Sequence, residues 1–160
     1  MTRTCDILQA TCAIPVLFPE IKIDNIPYYD GGLSDSIPVK RAIEKGYSKH
    51  LLVLTREPGY IKQPSKTNKW ATKLFQKRYP RLAAAMNHRA SMYNETMQYI
   101  GELEQNNEAF IFKPDRAIKS FESKVDQMKA NYEVGYEQAL KQMPELKEFL
   151  GIQKGTPLPL

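Results

Sequence analysis

The run HLLVLT at residues 50–55 constrains this chain more than any other feature. Four consecutive apolar residues between two loop signals are what a strand covered on both faces needs, the kind that lies inside a parallel sheet. A helix over residues 37–45 precedes it, with Pro38 in its first turn, Ser36 or Asp35 as its cap and Gly46 as its stop. Helix then strand, joined by residues 46–49, is the second half of a βαβ unit. Such a strand requires sheet neighbours and helical cover, and the chain ahead of it offers little of either. Residues 4–13 read as a helix ended by Pro15, with Ile7, Leu8, Thr11 and Cys12 facing inward. Ile21 and Ile23 then alternate with Lys22 and Asp24, and Asp24-Asn25 turns the chain into a hairpin. Beyond the run there is one short strand, AFIF within residues 108–112. The sheet is incomplete. A partner chain or a longer protein is expected to supply the rest.

The remainder of the sequence is helical in pattern: residues 69–79 and 81–105 separated by Pro80, residues 120–142 ending before Pro144, and residues 145–150. With 160 residues, 42% of them hydrophobic, the chain suits a globular unit and argues against disorder. The longest apolar run, AIPVLF, is far short of the roughly 18 residues of a membrane span. The first ten residues lack the apolar stretch of a secretory signal. Two cysteines, Cys5 and Cys12, make neither a disulfide scaffold nor a zinc site, which points to a reducing, cytoplasmic location.

Charge is unevenly spread. Residues 58–94 hold eight basic side chains and no acidic one, whereas residues 95–150 hold eleven acidic and seven basic. Lys62, Lys66, Lys69, Lys73 and Lys77 recur at helical spacing, with Trp70, Leu74 and Phe75 on the adjoining side. Two readings stand: an amphipathic helix packed on the sheet, or a basic helix that contacts an anionic membrane through Lys66, Lys69, Trp70, Lys73 and Lys77. Nucleic acid is disfavoured, since no reader motif is present and aromatics do not alternate with basic residues. No metal-ligand cluster and no nucleotide-binding loop occurs.

Residues 10–38 read ATCAIPVLFPEIKIDNIPYYDGGLSDSIP. In order, Ala10, Ala13-Ile14-Pro15, Phe18-Pro19, Tyr28, Asp30-Gly31-Gly32, Asp35 and Pro38 resemble the C-terminal half of the catalytic domain of bacterial patatin-like phospholipases. Thr11 stands where that family usually has serine. The helix and strand that follow fit as well, and Pro80, Arg89, Tyr93-Asn94 and residues 132–135 resemble an extension found in one bacterial subgroup. On this reading the likeness runs over most of residues 5–140.

The resemblance implies a serine lipid acyl hydrolase working through a Ser–Asp dyad, with Asp30 at the position of the aspartate and Gly31 and Gly32 supporting it. The chemistry asks for a carboxylate on a tight turn, close enough to take the nucleophile's proton, and glycines permit close approach. Taken alone, Asp-Gly is a common turn, and Asp30 would read as structural; the flanking pattern reverses that. Asp35 reads as a helix cap, and Ser34 and Ser36 as turn residues. The dyad needs no histidine and no cofactor, so neither His50 nor His88 is assigned a role.

The nucleophile is absent. The family's serine lies in a Gly-x-Ser-x-Gly elbow between strand and helix, upstream of the aspartate. The nearest imitation, Gly46-Tyr47-Ser48-Lys49-His50, follows a helix and enters a strand, the reverse of an elbow. The chain alone is therefore expected not to hydrolyse esters.

The expected fold is α/β: the C-terminal portion of a patatin-like three-layer α/β/α domain in residues 1–57, with a mainly helical extension in residues 58–160. The expected partners are a lipid ester in the full-length protein, the missing N-terminal half of the domain or a partner chain, and an anionic membrane surface. The competing reading is a non-enzymatic binding or regulatory module built on the basic helix.

Overall fold

The computed structural model describes residues 3–64 and 66–152, and of residues 66–69 the backbone alone. The elements run α1 (Arg3–Thr11), β1 (Ile21–Ile23), β2 (Ile26–Tyr28), a 3₁₀ turn (Gly31–Leu33), α2 (Val39–Glu44), β3 (His50–Val53), α3 (Lys66–Phe75), α4 (Pro80–Gln105), β4 (Ala109–Phe112) and α5 (Val125–Phe149). Helices and two small sheets make a mixed α/β chain. It divides into two units, Met1–Lys45 with Ile61–Tyr99, and Gly46–Tyr60 with Ile100–Leu160, each drawing on both sides of residue 57.

In the first unit β1 and β2 pair antiparallel, with Ile21 opposite Tyr28, Lys22 opposite Pro27 and Ile23 opposite Ile26. Asp24 (φ 51°) and Asn25 (φ 62°) both take left-handed conformations, the turn type whose twist matches a two-residue hairpin. α1 packs on β1 and on the 3₁₀ turn. Its inward residue is Ala10, while Ile7 and Leu8 are 51% and 61% exposed and Thr11 and Cys12 are exposed too, opposite to the expectation from sequence. A nine-residue helix that buries only one small side chain leaves its larger apolar groups outside. Val16, a β-branched residue in the AIPVLF turn, has φ 76°, which strains its backbone. The core of this unit joins Leu33, Ala71 and Met86, with Tyr29, Phe75 and Leu82 packed against them. Pro38, rather than Ser36 or Asp35, stands at the start of α2, and no side chain caps that helix. The Ser36 hydroxyl instead donates to the Gly32 carbonyl.

In the second unit β3 and β4 pair in parallel, with His50 opposite Ala109 and Val53 opposite Phe112. Ile100, fully buried, and Leu103 of α4 join Ala109 and Ile111 of β4 and Leu146 and Phe149 of α5 among its core residues. The parallel pairing agrees with the expectation for HLLVLT, but cover on both faces does not: Leu51 and Val53 are 50% and 74% exposed. Among the described residues each of these strands is paired along one edge only. α5 runs through Pro144 as one helix instead of breaking there. Proline forfeits one helical hydrogen bond, and Leu146 and Phe149, buried beyond it, hold the last turns in place. The Lys49 ammonium donates to the Phe149 carbonyl and lies over the Phe149 ring.

Candidate functional site

The chain leaves β2 through Tyr29 and turns sharply at Asp30. Two main-chain bonds fix that turn: the Asp30 N–H donates to the Ala13 carbonyl (3.0 Å), and the Leu33 N–H donates to the Asp30 carbonyl (3.2 Å). The side chain then caps the 3₁₀ turn, its Oδ1 accepting the Gly32 N–H at 2.7 Å. The Gly32 carbonyl is held from the other side by the Ser36 hydroxyl (2.8 Å) and by Nε of Arg89 (3.2 Å). Ser34 likewise donates from its hydroxyl to the Gly31 carbonyl, so both nearby serines serve the turn.

The two glycines act by leaving room. A Cβ on Gly32 would fall 2.9 Å from Oδ1 of Asp30, closer than real side chains come, and one on Gly31 would fall 3.2 Å from Oγ1 of Thr11. Among the described residues Asp30 enters no ion pair. The half-buried carboxylate is fixed by one oxygen, and the other takes no described hydrogen bond. Such a group can accept a proton from a hydroxyl brought to it.

Beside the turn lies a cluster that sequence reasoning missed. The Tyr79 hydroxyl donates to Oε2 of Glu20 (2.8 Å), and Arg78 reaches Oε1 of the same carboxylate (3.5 Å). Tyr29, the residue before Asp30, sets its ring edge-on to Phe75 and Tyr79. Burial, then the Glu20 charge, raises the Tyr29 pKa above its ordinary value. The hydrogen bond to Glu20 raises that of Tyr79. Arg89 is a second omission: its place in the sequence pattern was visible, but its bond to Gly32 spans 57 residues and needs the fold to be seen.

Lys73 is exposed on α3, Lys77 falls in the turn beyond the end of that helix instead of on it, exposed too, and Trp70 and Leu74 of α3 are 60% and 59% exposed. Ala71 and Thr72 are buried and Phe75 reaches the core, so α3 packs through these and leaves its tryptophan outside. The side chains of Lys66 and Lys69 lie outside the described residues. Among the described residues no three His, Cys, Asp or Glu side chains are placed to hold a metal ion, and no helix is long and apolar enough to cross a membrane.

The sequence model of the family described as patatin-like phospholipase matches residues 2–43, which carry α1, the hairpin and the Asp30 turn. A second family, described as a domain of unknown function (DUF6363), matches residues 79–151. The patatin-like match is thus narrower than the span of 5–140 suggested by the ordered motifs, and most of the helical portion falls to the second family. YjjU of Escherichia coli (strain K12), itself an uncharacterized protein, is 27% identical over 137 residues, covering 81% of this chain. The chain spans 37% of that relative's length. No solved structure matches.

Proposed function

We infer that this chain carries the acid half of a Ser–Asp dyad for lipid acyl hydrolysis, and that the serine belongs to a segment outside these residues. In this reading residues 1–57 close a patatin-like α/β/α catalytic domain and residues 58–160 extend it. One observation carries it: within the stretch matched by the patatin-like family, Asp30 is held by its own turn through one carboxylate oxygen and enters no described ion pair. A serine hydroxyl brought against the free oxygen would pass its proton there as it attacks the ester carbonyl, and the leaving alkoxide would collect it. The Gly32 N–H keeps the carboxylate from turning away during that exchange, and Arg89 steadies Gly32 through its carbonyl.

Labelling with a fluorophosphonate probe tests the assignment. The 160-residue chain is expected to remain unlabelled. A longer form that includes a Gly-x-Ser-x-Gly segment is expected to be labelled and to cleave a p-nitrophenyl ester. Ester cleavage by that form at an unchanged rate after Asp30→Asn would refute the dyad.

A second reading rests on the exposure of Trp70 and Leu74 beside Lys73 and Lys77, a surface suited to the interface of an anionic bilayer. Co-sedimentation with vesicles of mixed phosphatidylglycerol and phosphatidylcholine should exceed that with phosphatidylcholine alone, and Trp70→Ala should lower it. Equal binding to both vesicles removes the electrostatic part.

A further inference from the structure

The second unit contains a cavity of about 750 Å³, bounded by residues 53–56 at and beyond the end of β3, residues 112–120 at and beyond the end of β4 and residues 131–143 of α5. Its size is that of a small-molecule site. It lies at the carboxyl ends of parallel strands, the place where open α/β sheets receive ligands.

The lining is segregated by origin. Eight residues of α5 contribute, and none is charged; Glu133, Glu137 and Lys141 of the same stretch stay out of the lining. The four basic residues, Arg56, Lys113, Arg116 and Lys119, all come from the loops after the strands, against one acidic residue, Asp115. Lys113 is partly engaged, 3.6 Å from Glu104, and Arg56 donates to the Ser120 hydroxyl. Arg116 and Lys119 are exposed and enter no ion pair within bridging distance among the described residues, although the pKa of Glu122 is lowered by the Lys124 N–H and, secondarily, by the Lys119 charge.

An uncharged wall facing a cationic loop matches a molecule with an apolar body and a negative end. We propose that this cavity binds a single-chain amphiphile with an anionic head, a carboxylate or a phosphate monoester. The chain rests against Phe112, Tyr132, Tyr136 and Met143, and the head faces Arg116 and Lys119. Each methylene withdrawn from water adds to affinity, and the cations select the head. This assignment stands apart from Asp30 and holds whether or not the dyad is correct.

Calorimetric titration of the 160-residue chain tests it, with dodecanoate, dodecyl phosphate, octanoate and dodecyltrimethylammonium, all below micelle formation. The two dodecyl anions are expected to bind, octanoate at least tenfold more weakly, and the cationic amphiphile not measurably. A higher affinity for the carboxylate points to free fatty acid, and one for the phosphate points to a phosphate-headed lipid. Arg116→Glu with Lys119→Glu, both exposed, should weaken the anions at least tenfold with the far-ultraviolet circular dichroism unchanged. Met143→Trp, which narrows the cavity where the alkyl chain would lie, should weaken binding at least tenfold; if it fails to fold, the charge variant and the chain-length series decide. Equal affinity for the cationic amphiphile, or anion binding untouched by the charge reversal, overturns the proposal. So does a dimer in sedimentation that dodecanoate leaves intact and Met143→Trp disrupts, since the cavity would then belong to a second copy.

Discussion

The first unit concentrates its distinctive chemistry in a few contiguous residues, whereas the second spreads its over the length of the chain. Asp30, Gly31, Gly32, Ser34 and Ser36 bond to one another across two to four residues, and two distant bonds, from the Asp30 N–H to the Ala13 carbonyl and from Arg89 to the Gly32 carbonyl, fix the turn to the rest of the unit. The cavity of the second unit has no local counterpart: its walls come from residues 53–56, 112–120 and 131–143. A turn that aims one carboxylate is specified by its own sequence, through caps and close approach. A volume arises only after distant apolar surfaces have met.

The contrast can be broken by substitution. The largest expected effect is that of Asp30→Asn in a serine-containing longer form, a loss of ester turnover of roughly a thousandfold, the usual scale of a general base. In the 160-residue chain the same change should leave dodecanoate affinity as it was; weakened binding in calorimetry would erase the division of labour between the units. Ile100→Ala in the second unit opens a cavity at the fully buried position and should cost about 3 kcal/mol in chemical denaturation. Gly32→Ala strikes the turn itself: its Cβ would displace the Asp30 carboxylate from the Gly32 N–H, at about 2 kcal/mol for a hydrogen bond to a charged group. A melting temperature unchanged in that variant would show that the turn tolerates a second side chain. Val16→Gly relieves a β-branched residue at φ 76° and should raise stability by about 1 kcal/mol.

The tyrosine cluster gives a pH dependence with a definite sign. Tyr29 and Tyr79 both have pKa values raised above 10.0, the first by burial and the second by its bond to Glu20. The folded state thus holds these protons more tightly than the unfolded one. The stability this contributes is complete below the unfolded value near 10 and is lost as pH rises through the folded values. Glu20→Gln should bring the Tyr79 transition to lower pH in an ultraviolet titration; an unmoved curve would exclude the Glu20 bond as its cause.

Legibility followed the same division. The hairpin was readable because Asp24-Asn25 suits left-handed turn positions and Ile21 and Ile23 alternate with polar neighbours. The parallel pairing of HLLVLT was readable from its composition, but its exposed face was not, since a strand's sequence does not say which of its neighbours are present. Ser36 looked like a cap by position, yet its hydroxyl donates to the Gly32 carbonyl and no side chain caps α2. Pro144 looked like a terminus, and α5 absorbed it because Leu146 and Phe149 bury beyond it. Tyr132 and Gly135 stood out in the sequence pattern, though their place on a cavity wall depends on strands some 20 and 80 residues earlier.

The two sheets differ in how they would behave at a protein chemist's working concentrations. The hairpin sets Lys22 against Pro27, a charge and an imino acid that discourage edge-to-edge growth. β3 has no such guard, and it shows Leu51 and Val53 to solvent. Storage and refolding of the purified chain should thus be governed by one four-residue strand: aggregates should seed there, and Val53→Lys should keep the solution clear.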